Sequence, residues 1–340
     1  MAIYPWQSDL WRQLGARRAN LPHALLLQGR AGIGKLALAR ELAKALLCES
    51  SADGNANAAC GLCAACMWFE QGSHPDFRLL EPAALSQAAE VADAPESERK
   101  EGRKPSVKIA IDQVRALSDF INLTAHRNGM RVVLIHPAES MNPNAANALL
   151  KTLEEPPART LFILVTHQPQ QLLPTIRSRC QAVDMARPSR EAARQWLQGQ
   201  GVANADACLA QAGYAPLLAV ELSAADYQEQ RKGFLQQLCD PATMDALNLA
   251  EKSVKLELAD VVDWLQKWVH DLLSLKLSGK ILYQPDFEAG LQRLAGKVSM
   301  PRLLAYQQNL LGVRRAISHP LNSQLLLENI LLTYSRISES

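Results

Sequence analysis

Residues 24–47 read ALLLQGRAGIGKLALARELAKALL, and their reading decides the class of fold. The apolar run 24–28 suits a buried parallel strand, and 36–47 carries helix-forming residues at apolar spacing. Between them Gly29, Gly32, Gly34 and Lys35 match G-x-x-x-x-G-K. In such a loop the glycines let backbone N–H groups converge on a phosphate, the helix N-terminus adds its dipole, and the lysine reaches the β and γ oxygens. Further apolar runs at 131–135 and 161–165, with helical stretches at 109–121 and 144–154, repeat the alternation. It predicts an α/β P-loop module with right-handed crossovers and a parallel sheet.

The loop departs from an ATPase where magnesium should bind. Leu36 follows the lysine and has no hydroxyl for a cation that takes oxygen ligands. The run VVLI ends in His136 and Pro137, where a metal-binding Asp and a water-orienting Glu are expected. The loop and Lys35 leave ATP or ADP binding open, while efficient hydrolysis by this chain alone is not expected. The other reading is that His136 is a plain loop residue and the metal is held elsewhere.

Composition limits the remaining choices. The chain has 340 residues, enough for two or three domains, and is 48% hydrophobic. Its 36 Lys and Arg against 34 Asp and Glu leave a formal charge of +2, so nothing global drives nucleic-acid binding and any DNA role must be local. The N-terminus lacks a basic segment followed by an apolar core, and no apolar run is long enough for a membrane helix, so the expectation is a cytoplasmic protein. Residues 84–106 read as a surface insertion. Near 182–189 the strand pattern stops, and helical periodicity continues to the end. In 258–273, Leu258, Val261, Val262, Leu265, Val269, Leu272 and Leu273 share one helical face, and 325–334 forms another apolar helix. Trp264 and Trp268 read as packing.

Seven cysteines in a reducing compartment are more plausible as ligands or buried thiols than as disulfides. Cys48, Cys60, Cys63 and Cys66 have the spacing C-x₁₁-C-x₂-C-x₂-C, which suits a closed tetrahedral Zn²⁺ site of structural type. An iron–sulfur cluster also accepts two-residue spacing, but the ferredoxin run ending in Cys-Pro is absent; free thiols are the plain alternative. Met67, Trp68 and Phe69, without interleaved Arg or Lys, suggest scaffold or partner contact for this module. Cys180, Cys208 and Cys239 read as packing residues.

Several motifs now stand in order: the phosphate loop, SHPDF (73–77), VKIAIDQVRAL (107–117), NALLKTLEEPP (147–157), LFILVTH (161–167) and LLPTIRSRC (172–180). Together they resemble the AAA+ clamp-loader subunits of bacterial DNA polymerase III over most of 1–182, and HPLNSQLLLENILL (319–332) resembles that family's helical collar. The resemblance implies an AAA+ module (1–182) with a zinc module at 48–66, an all-α lid (183–228) and an all-α oligomerisation collar (229–340). The family has ATP-hydrolysing motors, gamma and tau, and a delta-prime class that usually does not hydrolyse. The two missing magnesium donors, the YPW at 4–6, and Leu217 in GYAPLLA, where motors carry a second sensor arginine, favour delta-prime. It further implies that Arg179 of the Ser-Arg-Cys motif is an arginine finger acting in trans on a neighbour's ATP. Thr166 resembles the first sensor of a degenerate nucleotide site. The implied partners are gamma/tau motors and a delta subunit, with the sliding clamp and primed DNA met through the assembled complex. An autonomous motor ATPase and a zinc-dependent DNA-binding protein are the alternatives.

Overall fold

The computed structural model describes residues 3–50, 58–86, 105–122, 130–317 and 322–338. The chain divides into two compact units after Ser189. Most of the 84–106 insertion and the start of the 319–332 segment lie outside the described residues.

The first unit is built on a parallel sheet of β1 (Ala24–Gln28), β2 (Phe77–Leu80), β3 (Arg131–Ile135), β4 (Thr160–Thr166) and β5 (Gln181–Asp184), in the order β2-β3-β4-β1-β5. Every residue of β3 and β4 is buried. Strands covered on both faces read as unbroken apolar runs, which is why these two and β1 were legible. β5 ends at Asp184, within the 182–189 stretch where the strand pattern is expected to stop. Its residues QAVD are mostly exposed and show no apolar alternation, because it is an edge strand held by its pairing with β1. Short β2 was also not anticipated.

Around the sheet lie α1 (Ser8–Ala16), α2 (Lys35–Leu47), α3 (Ala64–Glu70), α4 (Ile111–Asn122), α5 (Pro143–Glu154) and the single turn α6 (Pro174–Arg177). Leu38, Leu42 and Leu46, with Ala39 and Ala43, form the buried stripe of α2. Helix α5 starts at Asn142, whose side chain accepts from the Ala145 amide at 2.8 Å, with Pro143 in the first turn. It buries Ala145, Ala146, Leu149 and Leu153. Helix α4 begins two residues later than expected, since Ile109 bridges to Met141 instead.

The described residues of the second unit are helical: α7 (Arg190–Gly199), α8 (Ala205–Gln211), α9 (Pro216–Leu222), α10 (Ala225–Leu238), α11 (Ala246–Ser253), α12 (Leu258–Ser278), α13 (Glu288–Lys297), α14 (Met300–Ala316) and α15 (Ser323–Ser335). No described helix is long and apolar enough to cross a membrane. Helix α12 runs through the core. Its buried face includes Val261, Val262, Leu265, Val269 and Leu272, and also Trp264 and Trp268, so the indoles pack as expected. Each indole N–H finds a phenol oxygen. Trp264 donates to Tyr227 and Trp268 to Tyr334, both at 2.7 Å, and the Tyr334 hydroxyl donates onward to the Leu238 carbonyl at 2.8 Å. The same core takes the Arg231 guanidinium, paired with both Asp286 oxygens at 2.8 Å.

The Tyr334 relay is sealed from water, whereas Tyr227 is only partly buried. Tyr334→Phe strands an indole N–H and a carbonyl and is expected to cost about 1–3 kcal/mol in urea unfolding. Tyr227→Phe should cost less.

Candidate functional site

Parallel register brings the C-terminal ends of β1, β3 and β4 together, with Gln28 opposite both Thr166 and Asp184. The phosphate loop leaves β1 at this edge. Gly29 has φ 150° and Gly34 φ 87°, and a Cβ at Gly29 would sit 2.7 Å from the Met185 carbonyl oxygen. A Cβ at Gly34 would meet Gln7 Nε2 and the Tyr4 ring, each at 2.6 Å. The N-terminal residues therefore press on the loop from outside. Trp6 Nε1 donates to the Ile33 carbonyl at 3.0 Å, and Gln7 Nε2 donates to the carbonyls of Ile33 at 3.0 Å and Gly34 at 2.9 Å. YPW served only as a family mark in the sequence; that Trp6 and Gln7 hold the loop has no local signal.

Lys35 is 2% exposed, and its ammonium donates to the Gly29 carbonyl at 2.7 Å and to the Arg30 carbonyl. Burial pushes its pKa down to about 8, against the opposing pull of Glu139. His136 follows β3, His167 follows β4, and their rings meet edge to face at 5.3 Å. Burial above all, and then the neighbouring His167, pushes His136 down to about 4; burial also lowers His167. Glu139 accepts the His167 amide at 2.9 Å through Oε1. Among the described residues no partner reaches its Oε2 or the Nδ1 atoms of either histidine. Thr166 is fully buried and accepts from the Gln168 amide at 3.2 Å. The Lys35 neighbourhood thus holds two neutral imidazoles and one carboxylate, with apolar Leu36 beside the lysine. Such a donor set is nitrogen-rich, a poor match to magnesium's octahedron of oxygens. Glu139 was missed in the sequence because it lies in a short turn, Ala138–Ser140, where no periodicity points it inward.

The four cysteine sulfurs lie within 4.8 Å of one another, with Cys48 and Cys63 at 3.8 Å and Cys60 and Cys66 at 3.9 Å. A tetrahedron of thiolates at about 2.3 Å from a zinc ion has edges of about 3.8 Å, while a disulfide needs about 2.05 Å. The cluster can therefore hold a metal ion. Cys48 ends α2, and Cys63 caps α3, which carries Cys66. The Leu62 amide first, then the Ser50 hydroxyl and the Cys63 amide, lower the Cys60 pKa to about 6. Burial raises Cys66, a penalty that a central cation reverses. Phe69 is buried against Phe77 at 4.6 Å, while Leu62 and Met67 are exposed.

Arg179 stands just after α6, between buried Ile176 and Cys180 and the start of β5. Its guanidinium donates to the Thr175 carbonyl at 2.9 Å and to Glu154 at 2.5 Å. The side chain is 32% exposed. Its partners lie in α5, in α6 and at Ser178 just after it, none in the phosphate loop. Leu217, in the first turn of α9, offers no charge to a phosphate. Cys180 and Cys208 are buried and Cys239 is partly so, as packing residues should be.

Two families match the chain. The one described as "DNA polymerase III, delta subunit" covers residues 6–189, and "DNA polymerase III, delta subunit, C terminal" covers 225–336. The DNA polymerase III subunit delta' of Pseudomonas aeruginosa is 39% identical over 347 residues, spanning 98% of each chain. That of Escherichia coli is 30% identical over 98% of this chain and 95% of its own. The subunit tau of Salmonella typhimurium is 36% identical over 49% of this chain and 22% of its own.

His136 makes stability pH-dependent. Its folded pKa of about 4 lies below the ordinary 6.5, so the unfolded state binds more protons between these values and stability is lost as pH falls through that window. His136→Gln is expected to shrink the drop in melting temperature between pH 7 and pH 5, read by calorimetry.

Proposed function

Because the chain belongs to the family of DNA polymerase III delta-prime subunits, we propose that it serves the clamp loader as a protomer that assists ATP hydrolysis next door without hydrolysing ATP itself. The observation that carries this reading is the pairing of a nitrogen-rich phosphate site, with no hydroxyl on Leu36 after the loop lysine, with a surface arginine that its own loop does not use. Gly29, Gly32, Gly34, Lys35 and Thr166 retain a cradle that takes ATP or ADP without fast turnover. Arg179 is offered to ATP on an adjoining gamma/tau motor. A guanidinium against the γ-phosphate neutralises charge that develops as the phosphoryl group transfers, an effect of about 10³ to 10⁵ in well-studied cases.

In the same reading, residues 183–228 form the lid and 229–340 the collar. Leu304, Leu311, Leu325 and Leu332 are exposed on α14 and α15, which supports a collar surface that pairs with other subunits, including delta. The sliding clamp and primed DNA are met through the assembled complex in the cytoplasm, at the nucleoid, with DNA gripped by its phosphates and not read by sequence. Cys48, Cys60, Cys63 and Cys66 hold Zn²⁺ as a structural ion that ties the end of α2 to the start of α3.

In a complex reconstituted from purified subunits, Arg179→Ala is expected to lower steady-state ATP turnover by the share of the neighbouring site, with assembly by size-exclusion chromatography unchanged. Full turnover contradicts the finger. Elemental analysis should find one zinc per chain, and Cys63→Ser should lose it together with thermal stability of the first unit.

A further inference from the structure

We propose that Glu154 is the positioning residue for Arg179, holding one edge of the guanidinium so that its other N–H groups face a phosphate from outside the chain. The inference rests on the reading of Arg179 as a finger and adds the residue that aims it.

Both carriers of the pair are rigid. Glu154 is the last residue of α5, directly after Leu153, which is 1% exposed, and the helix is pinned at its start by the Asn142 cap. Arg179 follows a turn anchored by fully buried Ile176, and its own amide donates to the Ile176 carbonyl at 3.1 Å. Leu153, Ile176 and Cys180 belong to one buried cluster, so a single core fixes the distance between the acid and the base.

Both terminal nitrogens of the guanidinium have a partner in the chain, and Glu154 is the charged one. Nη2 donates to Glu154 Oε1 at 2.5 Å and Nη1 to the Thr175 carbonyl at 2.9 Å, with Ser178 Oγ at 3.5 Å as a weak third contact. A guanidinium has five N–H donors, so the pair leaves donors to spare, on a side chain 32% exposed. Without Glu154, only the Thr175 carbonyl and the weak Ser178 contact hold the guanidinium; with it, the arginine is placed before the neighbour docks. An ion pair whose carboxylate is 49% exposed contributes little to stability, so its geometry matters here more than its contribution to folding. The opposite role is a latch that withholds Arg179 from its target, and the two roles move the rate in opposite directions.

The test compares clamp-loader complexes reconstituted with the full chain carrying Glu154→Ala, Glu154→Gln, Glu154→Asp, Arg179→Ala or the Ala/Ala double substitution. The readout is the Arg179-dependent part of ATP turnover, namely the part that Arg179→Ala removes. Glu154→Ala is expected to lower the kcat of that part about tenfold, short of the roughly 10²-fold that a 1 Å misplacement can cost. KM for ATP, complex assembly and the chain's melting temperature should stay unchanged. Glu154→Asp should restore most of the rate and Glu154→Gln less, and the double substitution should fall no lower than Arg179→Ala. A full or raised rate in Glu154→Ala, beside a slowed Arg179→Ala, overturns the positioning role and leaves the finger standing. A full rate in Arg179→Ala overturns the finger and the inference together. Should the Ala variant fail to fold, the Asp and Gln pair decides: equal rates for the two overturn the proposal.

Discussion

Parallel pairing of β1 with β4 on one side and β5 on the other is the constraint on which the rest depends. Gln28 ends level with Thr166 and Asp184, so the chain that leaves β1 must turn at the carboxyl edge of the sheet with neighbours on both sides. Only a residue without a side chain fits where Gly29 passes the Met185 carbonyl. The loop is thus shaped by backbone from β1, by the strand-end of β5 and by the Tyr4–Gln7 segment together. Its lysine, its glycines and the ends of β3 and β4 converge because the strands do.

What converges there is a glycine-rich loop, a buried lysine and a nitrogen-rich set of neighbours. A buried lysine bonded to its own loop carbonyls, two imidazoles held neutral by burial, and one carboxylate can receive an anion; they do not assemble the oxygen donors that magnesium demands. Charge has instead been kept at Arg179, on an exposed turn whose root is in the core. The proposed division of labour, a quiet pocket and an active edge, follows from where burial neutralises a group and where exposure leaves it charged. The cysteine cluster is a separate feature, four sulfurs close enough together to hold one ion.

Much of this was legible from residue order. The runs 24–28, 131–135 and 161–165 coincide with β1, β3 and the interior of β4, because strands buried on both faces are mostly apolar. The cysteine spacing predicted a cluster because three of its members are separated by a single turn's worth of chain. Edge strand β5 left no pattern, since its partner supplies hydrogen bonds and its side chains face solvent. Glu139 and Glu154 were equally silent. Each lies in a stretch that reads as an ordinary helix end or turn, and each acquires its role from a residue 28 or 25 positions away.

The sequence alone determined the class of fold, the metal-ready thiols and the apolar Leu36 after the loop lysine, because these depend on residue type at short spacing. Tertiary structure decided which groups stand beside Lys35, that Trp6 and Gln7 clamp the loop, and that Glu154 grips Arg179. Those depend on through-space distances of a few ångströms between segments far apart in the chain, and such distances exist only once the sheet has paired and the core has closed.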